Sequence, residues 1–473
     1  MKLLITIFSF EWIQLKRQPT QLWALFVFML VGLYAIYSGS AVTQRQRVVI
    51  DTLSKQYEQD YALTLKKFAD TLTPETKAQA AFAGLPQMIN FRIPPLATDP
   101  PSPLAALSVG QRDINPYYQK VKSNVSFLDN QNVEISNPST LFAGNFDLSF
   151  VLIYLLPLLI ITLCYGSYAE EREQGTYALL SIQALSIEKV MLYKLLFRGT
   201  VVLVVVLLLC TAGFLATAAT DGIFQWLYLT VVYLFFWLSV CYFFVQTKSS
   251  SIITALKLVA VWLFFLILLP SLSNTYLSLT HPIPLRADLA SFERHISEEV
   301  WTMKPAELAA AFDKHNPQYR ASINPAKDST SSGPRFIVGY YDMLERKVGA
   351  FAKKLHATLD SRSIMARKLA SANPSMTLQY LYNATARTGR ADYQDFEKQI
   401  SSFQKKWKHH LYTKQLWEKN FSQQELKKLL KFEMTVQPRT AEVLKGSLAI
   451  WSGVFLFLLL GLSKSNVIRK PKN

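Results

Sequence analysis

Apolar residues fall in six long blocks along this chain, and polar residues fill the intervals between them. The blocks are Leu22–Val42, Leu148–Tyr168, Thr200–Thr220, Trp226–Val245, Ile252–Leu272 and Ser447–Ser463. A soluble core of this size scatters its apolar positions at helix or strand period. Runs of roughly 18 or more apolar residues instead match a bilayer-crossing helix, because about 20 residues at a rise of 1.5 Å cover the hydrocarbon. Strands of a membrane barrel would be about ten residues long and alternate in polarity. The pattern predicts an all-α polytopic membrane protein with six transmembrane helices. Ahead of the first block, Met1–Arg17 mixes Leu4, Ile5, Phe8, Trp12 and Leu15 with Lys2, Glu11, Lys16 and Arg17. That mixture predicts an interfacial helix, within residues 1–21, ended by Pro19. The competing reading is a secretory signal cut near Ser38-Gly39-Ser40-Ala41. Glu11 in the leader and the length of chain ahead of the apolar run argue against it.

Two of the intervals are long. The first, Thr43–Asp147, opens with a helical stretch, Gln44–Leu72, that extends the first span as a stalk. A passage rich in proline follows (Pro94, Pro95, Pro100, Pro101, Pro103), for which an extended conformation is expected. The second, Ser273–Lys445, predicts helices at Arg286–Lys304, Pro305–His315, Tyr340–Leu359, Ser363–Ala372, Asp392–Trp407 and Gln423–Phe432. Breaks are expected at Asn316-Pro317, Ser331-Ser332-Gly333-Pro334, Asn373-Pro374 and Thr388-Gly389. Lys and Arg in short loops set the orientation. Lys2, Lys16 and Arg17, then Arg172, Lys189, Lys194 and Arg198 in the 169–199 loop, Lys248, and Lys464, Arg469, Lys470 and Lys472 in the tail all fall on one face. That face is expected to be cytoplasmic, with both termini inside. Asp221–Gln225, which has no Lys or Arg, is then outside. So are the two long intervals, as mainly helical extracytoplasmic segments.

Charge and chemistry narrow the function. The net charge is +17, and Ser273–Lys445 supplies about +10 of it, 27 Lys and Arg against 17 Asp and Glu. The densest patch is Lys405–His410, read either as a solvated helical face or as a surface for anionic lipid or an envelope polyanion. An outward location and the lack of a recognition motif argue against nucleic acid. Cys164, Cys210 and Cys241 all lie in predicted spans, so no disulfide framework organises the polar segments. The sequence contains no Gly-x-x-x-x-Gly-Lys-Ser/Thr phosphate loop, no His-Glu-x-x-His, no Gly-x-Ser-x-Gly and no Cys-x-x-Cys. No ATP site, catalytic residue or cofactor of the chain's own is expected. Of the histidines only His409 and His410 are adjacent, and helix neighbours point about 100° apart, so no metal site is expected either.

Within the spans, Lys257 lies one turn into the fifth, close enough to its cytoplasmic end to snorkel, with a pairing role on a translocation path as the alternative. Pro157 stands in mid-span and removes a backbone donor. Ala35/Gly39 and Ala449/Gly453 allow close helix approach, and suggest a subunit interface. The absence of a chain of intramembrane carboxylates disfavours a proton- or sodium-driven transporter. Energy must then arrive from elsewhere.

The remaining signal is the loop after the second span: Glu170, Glu171 and Glu173, then Gly175 and Thr176, then the amphipathic stretch Ser186–Arg198 with Ser186 as its expected cap. Three carboxylates so close together are expected to be exposed, or matched by cations on a partner. The six spans, the interfacial helix and Glu170-Glu171-Arg172-Glu173-Gln174-Gly175-Thr176 in this place resemble the membrane subunit of an ABC-2-type transporter. Ala106-Leu107-Ser108-Val109-Gly110-Gln111-Arg112-Asp113 and Tyr154-Leu155-Leu156-Pro157-Leu158 are similar to a bacterial subgroup with large outward segments and unknown substrate. The resemblance implies that the acidic-Gly-Thr loop forms a coupling helix docked on a separate ABC ATPase subunit. It also implies a second permease subunit, the bacterial inner membrane, and outward movement of an amphiphilic or extracytoplasmic cargo. Two other readings remain open. One is mechanotransmission to an envelope partner through the outer segments. The other is a membrane scaffold that transports nothing.

Overall fold

Proline opens several of the helices at the first position, where its missing N–H would have had no partner within the helix. In the computed structural model α1 covers Lys2–Arg17 and α2 covers Pro19–Ala69; α3 is Pro74–Ala83 and α4 Pro86–Arg92. A two-stranded antiparallel ribbon follows, β1 (Leu96–Thr98) against β2 (Tyr118–Lys120), with Ala97 opposite Gln119. Next come α5 (Leu148–Glu173), α6 (Ile187–Thr217), α7 (Ile223–Val245) and α8 (Ser251–Thr280). The rest are α9 (Arg286–Trp301), α10 (Pro305–His315), α11 (Pro334–Ser371), α12 (Pro374–Ala386), α13 (Arg390–Leu416), α14 (Gln423–Leu426) and α15 (Thr440–Val467). The structure describes residues 2–69, 73–124, 145–177, 187–247, 249–283, 286–323, 333–437 and 439–467. Ser186, Lys248, the Ser331-Ser332 break and the basic tail beyond residue 467 lie outside them.

Among the described residues six helices, α2, α5, α6, α7, α8 and α15, are long and apolar enough to cross a membrane, so this is an all-α, membrane-embedded chain. One large apolar core joins them, centred on α7, whose Trp226, Tyr233, Phe236 and Trp237 are fully buried. α1, the turn after α5 and the start of α8 share one end of the bundle, here called basal. The polar modules stand at the other, distal end. α2 is unbroken for 51 residues, roughly 76 Å at helical rise, so the first apolar block and the stalk are one rod. Its tip reaches α14, where Tyr61 donates to the carbonyl of Leu426 at 3.0 Å.

Several sequence expectations are corrected. Tyr340–Leu359 and Ser363–Ala372 are one helix, α11, because Asp360 and Ser361 face solvent and no Gly or Pro interrupts it there. α14 stops at Leu426 rather than Phe432, since Phe432 turns inward against Phe396 and Phe403. The proline-rich passage holds β1 and a 3-10 turn, Pro103–Ala106, besides its extended parts. The largest correction concerns α12. The sequence places all of Ser273–Lys445 in the polar outer layer, yet Leu378, Leu381 and Tyr382 are fully buried in the same core as the apolar helices. Tyr382 stacks on Trp226 at 4.1 Å and bonds Thr230 at 2.7 Å. At the tip of the α11–α12 hairpin, Asn373 donates to the carbonyl of Phe265 at 2.6 Å, and Pro374 lies against Gly453. Phe265, Phe236 and Gly453 are each near the middle of their helices, so the hairpin descends about halfway along the bundle. Non-helical backbone at such depth is tolerated where protein encloses it.

The small residues also have a use within the chain. A Cβ on Gly39 would sit 1.9 Å from the carbonyl oxygen of Ala106, and one on Gly453 would meet the Phe236 ring. These positions let α2 and α15 touch their own neighbours. Gly39→Ala is expected to destabilise the chain by about 1–3 kcal/mol through overpacking against backbone. Thermal unfolding in detergent measures it, and an unchanged midpoint would remove this account of Gly39.

The distal module has its own core, built on Trp407, Leu411, Phe312, Ile89 and Ile93. There Ser422 and Glu425 form a capping box, and Glu425 also pairs with Lys414. The bond from Lys414, followed by that from the Ser422 N–H, holds the Glu425 carboxyl down at about 2. A depressed acid stabilises the fold above its ordinary pKa of 4.5, and the contribution is lost as pH falls toward 2. The side chain is 42% exposed, so solvent screening limits the effect to less than ~1 kcal/mol. Glu425→Gln is expected to flatten this part of the acid limb between pH 5 and 2. Hydrogen exchange in α14 provides the check.

Candidate functional site

At the basal end the acidic turn is folded by its own sequence. Helix Ala169–Glu173 stops at Gln174, and Gly175 takes a left-handed φ of 74°, a conformation that glycine adopts without strain. The chain then doubles back, so that the Thr176 hydroxyl bonds the carbonyl oxygen of Glu171 at 3.1 Å and also reaches its carboxylate. The three glutamates separate. Glu171 is buried and pairs with Lys194 of α6. Glu170 is half-buried, 3.9 Å from the Arg198 guanidinium. Glu173 is exposed and accepts from the Ser251 amide at 3.0 Å and its hydroxyl at 2.6 Å, at the amino-terminal end of α8, where negative charge complements the helix dipole.

The junction has a third member. Glu11 of α1, 2% exposed, lies 3.1 Å from the Lys194 ammonium and 3.2 Å from Arg198 Nε. Arg198 also donates to the carbonyl of Leu163 in α5. Two carboxylates and two cations are thus buried together, with Glu170 at the edge. The expectation of exposure or of a partner's cation fails for Glu171, which is matched inside its own chain. Sequence reasoning counted Lys194 and Arg198 only as orientation signals. Their four-residue spacing puts both on one face of α6, and Glu11 stands in an otherwise apolar stretch; those were the available signs.

Lys257 reaches back to the Ser249 hydroxyl at 2.8 Å, placing its head at the basal end rather than in the bundle. Pro157 is buried and follows a π-turn, Val151–Leu155. Proline offers no N–H to the preceding turn. The carbonyls there find other donors: Tyr233 of α7 bonds Ile153 at 3.0 Å, and Trp262 of α8 bonds Tyr154 at 3.0 Å. α8 repeats the device. Its π-turn, Phe264–Leu268, precedes Pro270, and the carbonyl of Phe265 is the one served by Asn373. Both proline breaks are therefore closed by side chains from neighbouring helices, and both face the α11–α12 hairpin.

A clasp at the distal end holds that hairpin. The amide of Val109 donates to Asp147, the cap of α5, at 2.8 Å, and the Ser108 hydroxyl meets Asn383 of α12 at 2.7 Å. Gly110, at a φ of 57°, lets the Gln111 amide reach the Thr388 carbonyl at 2.9 Å. Burial pushes the Asp147 carboxyl up to about 6, against the bonds from Ser149, Phe150 and Val109. Arg112 is buried on Asp99 at 2.6 Å and on Gln46 of α2 at 3.1 Å. The stretch 106–113 thus ties α2, α5 and α12 together. Among the described residues no group of three His, Cys, Asp or Glu side chains is placed to hold a metal.

Residues 287–435 match a family described as a domain of unknown function (DUF3526). The matched region contains the whole α11–α12 hairpin. No curated protein matches the chain.

Proposed function

We propose that the chain is the permease subunit of an ATP-driven, ABC-2-type exporter in a bacterial inner membrane, with the basal end cytoplasmic. A separate ATPase subunit docks on the Glu170–Thr176 turn, and a second permease subunit completes the pore. The observation that carries this reading is the wiring of the turn. Glu171 joins it to α6 and, through Lys194, to α1; Glu173 joins it to α8. A push delivered to the turn moves three apolar elements as one body, as coupling requires. The exposed members, Arg172, Glu173, Gln174 and Gly175, are the ones a partner can touch.

Co-purification in mild detergent is expected to bring down an ABC ATPase, and Glu173→Lys to weaken that complex by roughly 2–5 kcal/mol if the contact is desolvated. A chain that purifies alone, with the variant indistinguishable from it, would overturn the proposal. A second reading, mechanotransmission, is favoured by the descent of α12 into the bundle, because motion of the apolar helices would pass directly to the distal module. In that case, deleting α9 and α10 abolishes the biological output while stimulated ATPase activity persists.

A further inference from the structure

A cavity of about 530 Å³ opens between α5, α8, α11 and α12 at the distal half of the bundle. Its volume is in the range of roughly 300–1,000 Å³ common to small-ligand sites. The inner wall is apolar and is formed by the two proline breaks, with Ile153, Tyr154, Leu266 and Pro270. Its charged lining residues are all arginines, Arg362, Arg367 and Arg390, with no Asp, Glu or Lys among the lining residues.

The arginines keep donors to spare. The two bonds drawn for Arg362 leave from a single nitrogen, to the carbonyls of Leu277 and His281 at 3.0 and 2.9 Å, whereas a guanidinium carries five N–H groups. Arg367 lies over the Tyr380 ring at 5.7 Å and approaches Glu442 only to 3.5 Å, half-exposed. Arg390 is half-buried; its charge acts on the Glu397 carboxyl, and no side-chain hydrogen bond holds its guanidinium among the described residues. Three planar cations above a hydrocarbon floor are suited to one kind of molecule, with an oxyanion at one end and a chain at the other.

We propose that this cavity binds an amphiphile with a net anionic phosphate headgroup, the phosphate on Arg362, Arg367 and Arg390 with no cation of its own to compete for it, and the hydrocarbon on the floor made by the proline breaks of α5 and α8. Binding is a property of this chain alone; only the view that the amphiphile is cargo rests on the exporter reading. The hairpin tip, pinned to Phe265 by Asn373, forms part of the structure behind the floor. Movement of α8, which Glu173 links to the basal turn, therefore reshapes the cavity.

The test is native mass spectrometry of the full chain, titrated in detergent with phosphatidylglycerol, with phosphatidylcholine of the same acyl length, and with inorganic phosphate. Phosphatidylglycerol is expected to be retained about tenfold better than phosphatidylcholine, and phosphate alone to bind far more weakly than either. Arg367→Gln with Arg390→Gln should lower phosphatidylglycerol retention by about tenfold or more, the loss of charge-assisted bonds. Ala366→Phe, which fills the cavity without removing charge, should lower retention of both lipids. Equal retention of the two lipids by the wild type overturns the proposal. So does full retention in Ala366→Phe, and so does phosphate binding as tightly as lipid. Lipid retained by a chain that recruits no ATPase leaves the site standing and removes the exporter reading. ATPase recruitment without lipid selectivity does the reverse.

Discussion

Lys194→Met is expected to leave little folded protein. Lys194 is the shared cation of Glu11 and Glu171, and all three side chains are at most 12% exposed. Removing it strands carboxylates away from water, and breaking a buried pair this way costs about 3–5 kcal/mol. Whole domains are stable by only about 5–15 kcal/mol. The companion variant, Glu171→Gln with Lys194→Met, removes one charge of each sign and is expected to recover part of the loss, since Arg198 still serves Glu11. Glu173→Lys is expected to fold normally, because its contacts are exposed. Size-exclusion profiles and thermal midpoints in detergent rank the variants. A Lys194→Met midpoint equal to wild type would mean that the junction is hydrated and not a rigid joint.

Asn373→Leu is expected to rank next. The Asn373 side chain accepts from the Ser375 amide at 2.9 Å, capping α12, and donates to Phe265. Losing a cap costs about 0.5–2 kcal/mol, and leaving a buried carbonyl without a donor about 1–3 kcal/mol. The sum is roughly 1.5–5 kcal/mol, with the number and branching of side-chain heavy atoms conserved. Asn373→Asp separates the parts, since it keeps the cap and loses the donor. If both variants unfold with wild type, α12 is held by its apolar face alone, and the tip bond to α8 carries no weight.

What the sequence disclosed followed from range. The six apolar runs were legible because a bilayer-crossing helix announces itself within about 20 consecutive residues. The Gly175 turn was legible for the same reason, as a local choice of backbone. The partners of Lys194 and Arg198 were not, because Glu11, Glu171 and Leu163 are brought to them only by tertiary packing. α12 escaped as well. It is 13 residues long, shorter than a span, and Asn373-Pro374 reads as a surface break. The spacing of Leu378, Leu381 and Tyr382 was a helical apolar stripe, and an unpaired stripe of that kind inside a polar segment was the sign that it is buried elsewhere.

The unbroken length of α2 has a mechanical result. At Gly39 the α2 backbone packs closely against the carbonyl of Ala106, and Ala69 lies about 45 Å farther along the axis. With Gly39 as fulcrum, a tilt of about 5° sweeps the far tip through roughly 4 Å and Tyr61, about 33 Å from Gly39, through roughly 3 Å, about the length of a hydrogen bond. The Tyr61 hydroxyl on Leu426 would then follow the tilt or let go, so the rod converts a small rotation among the apolar helices into a stroke that the distal module registers.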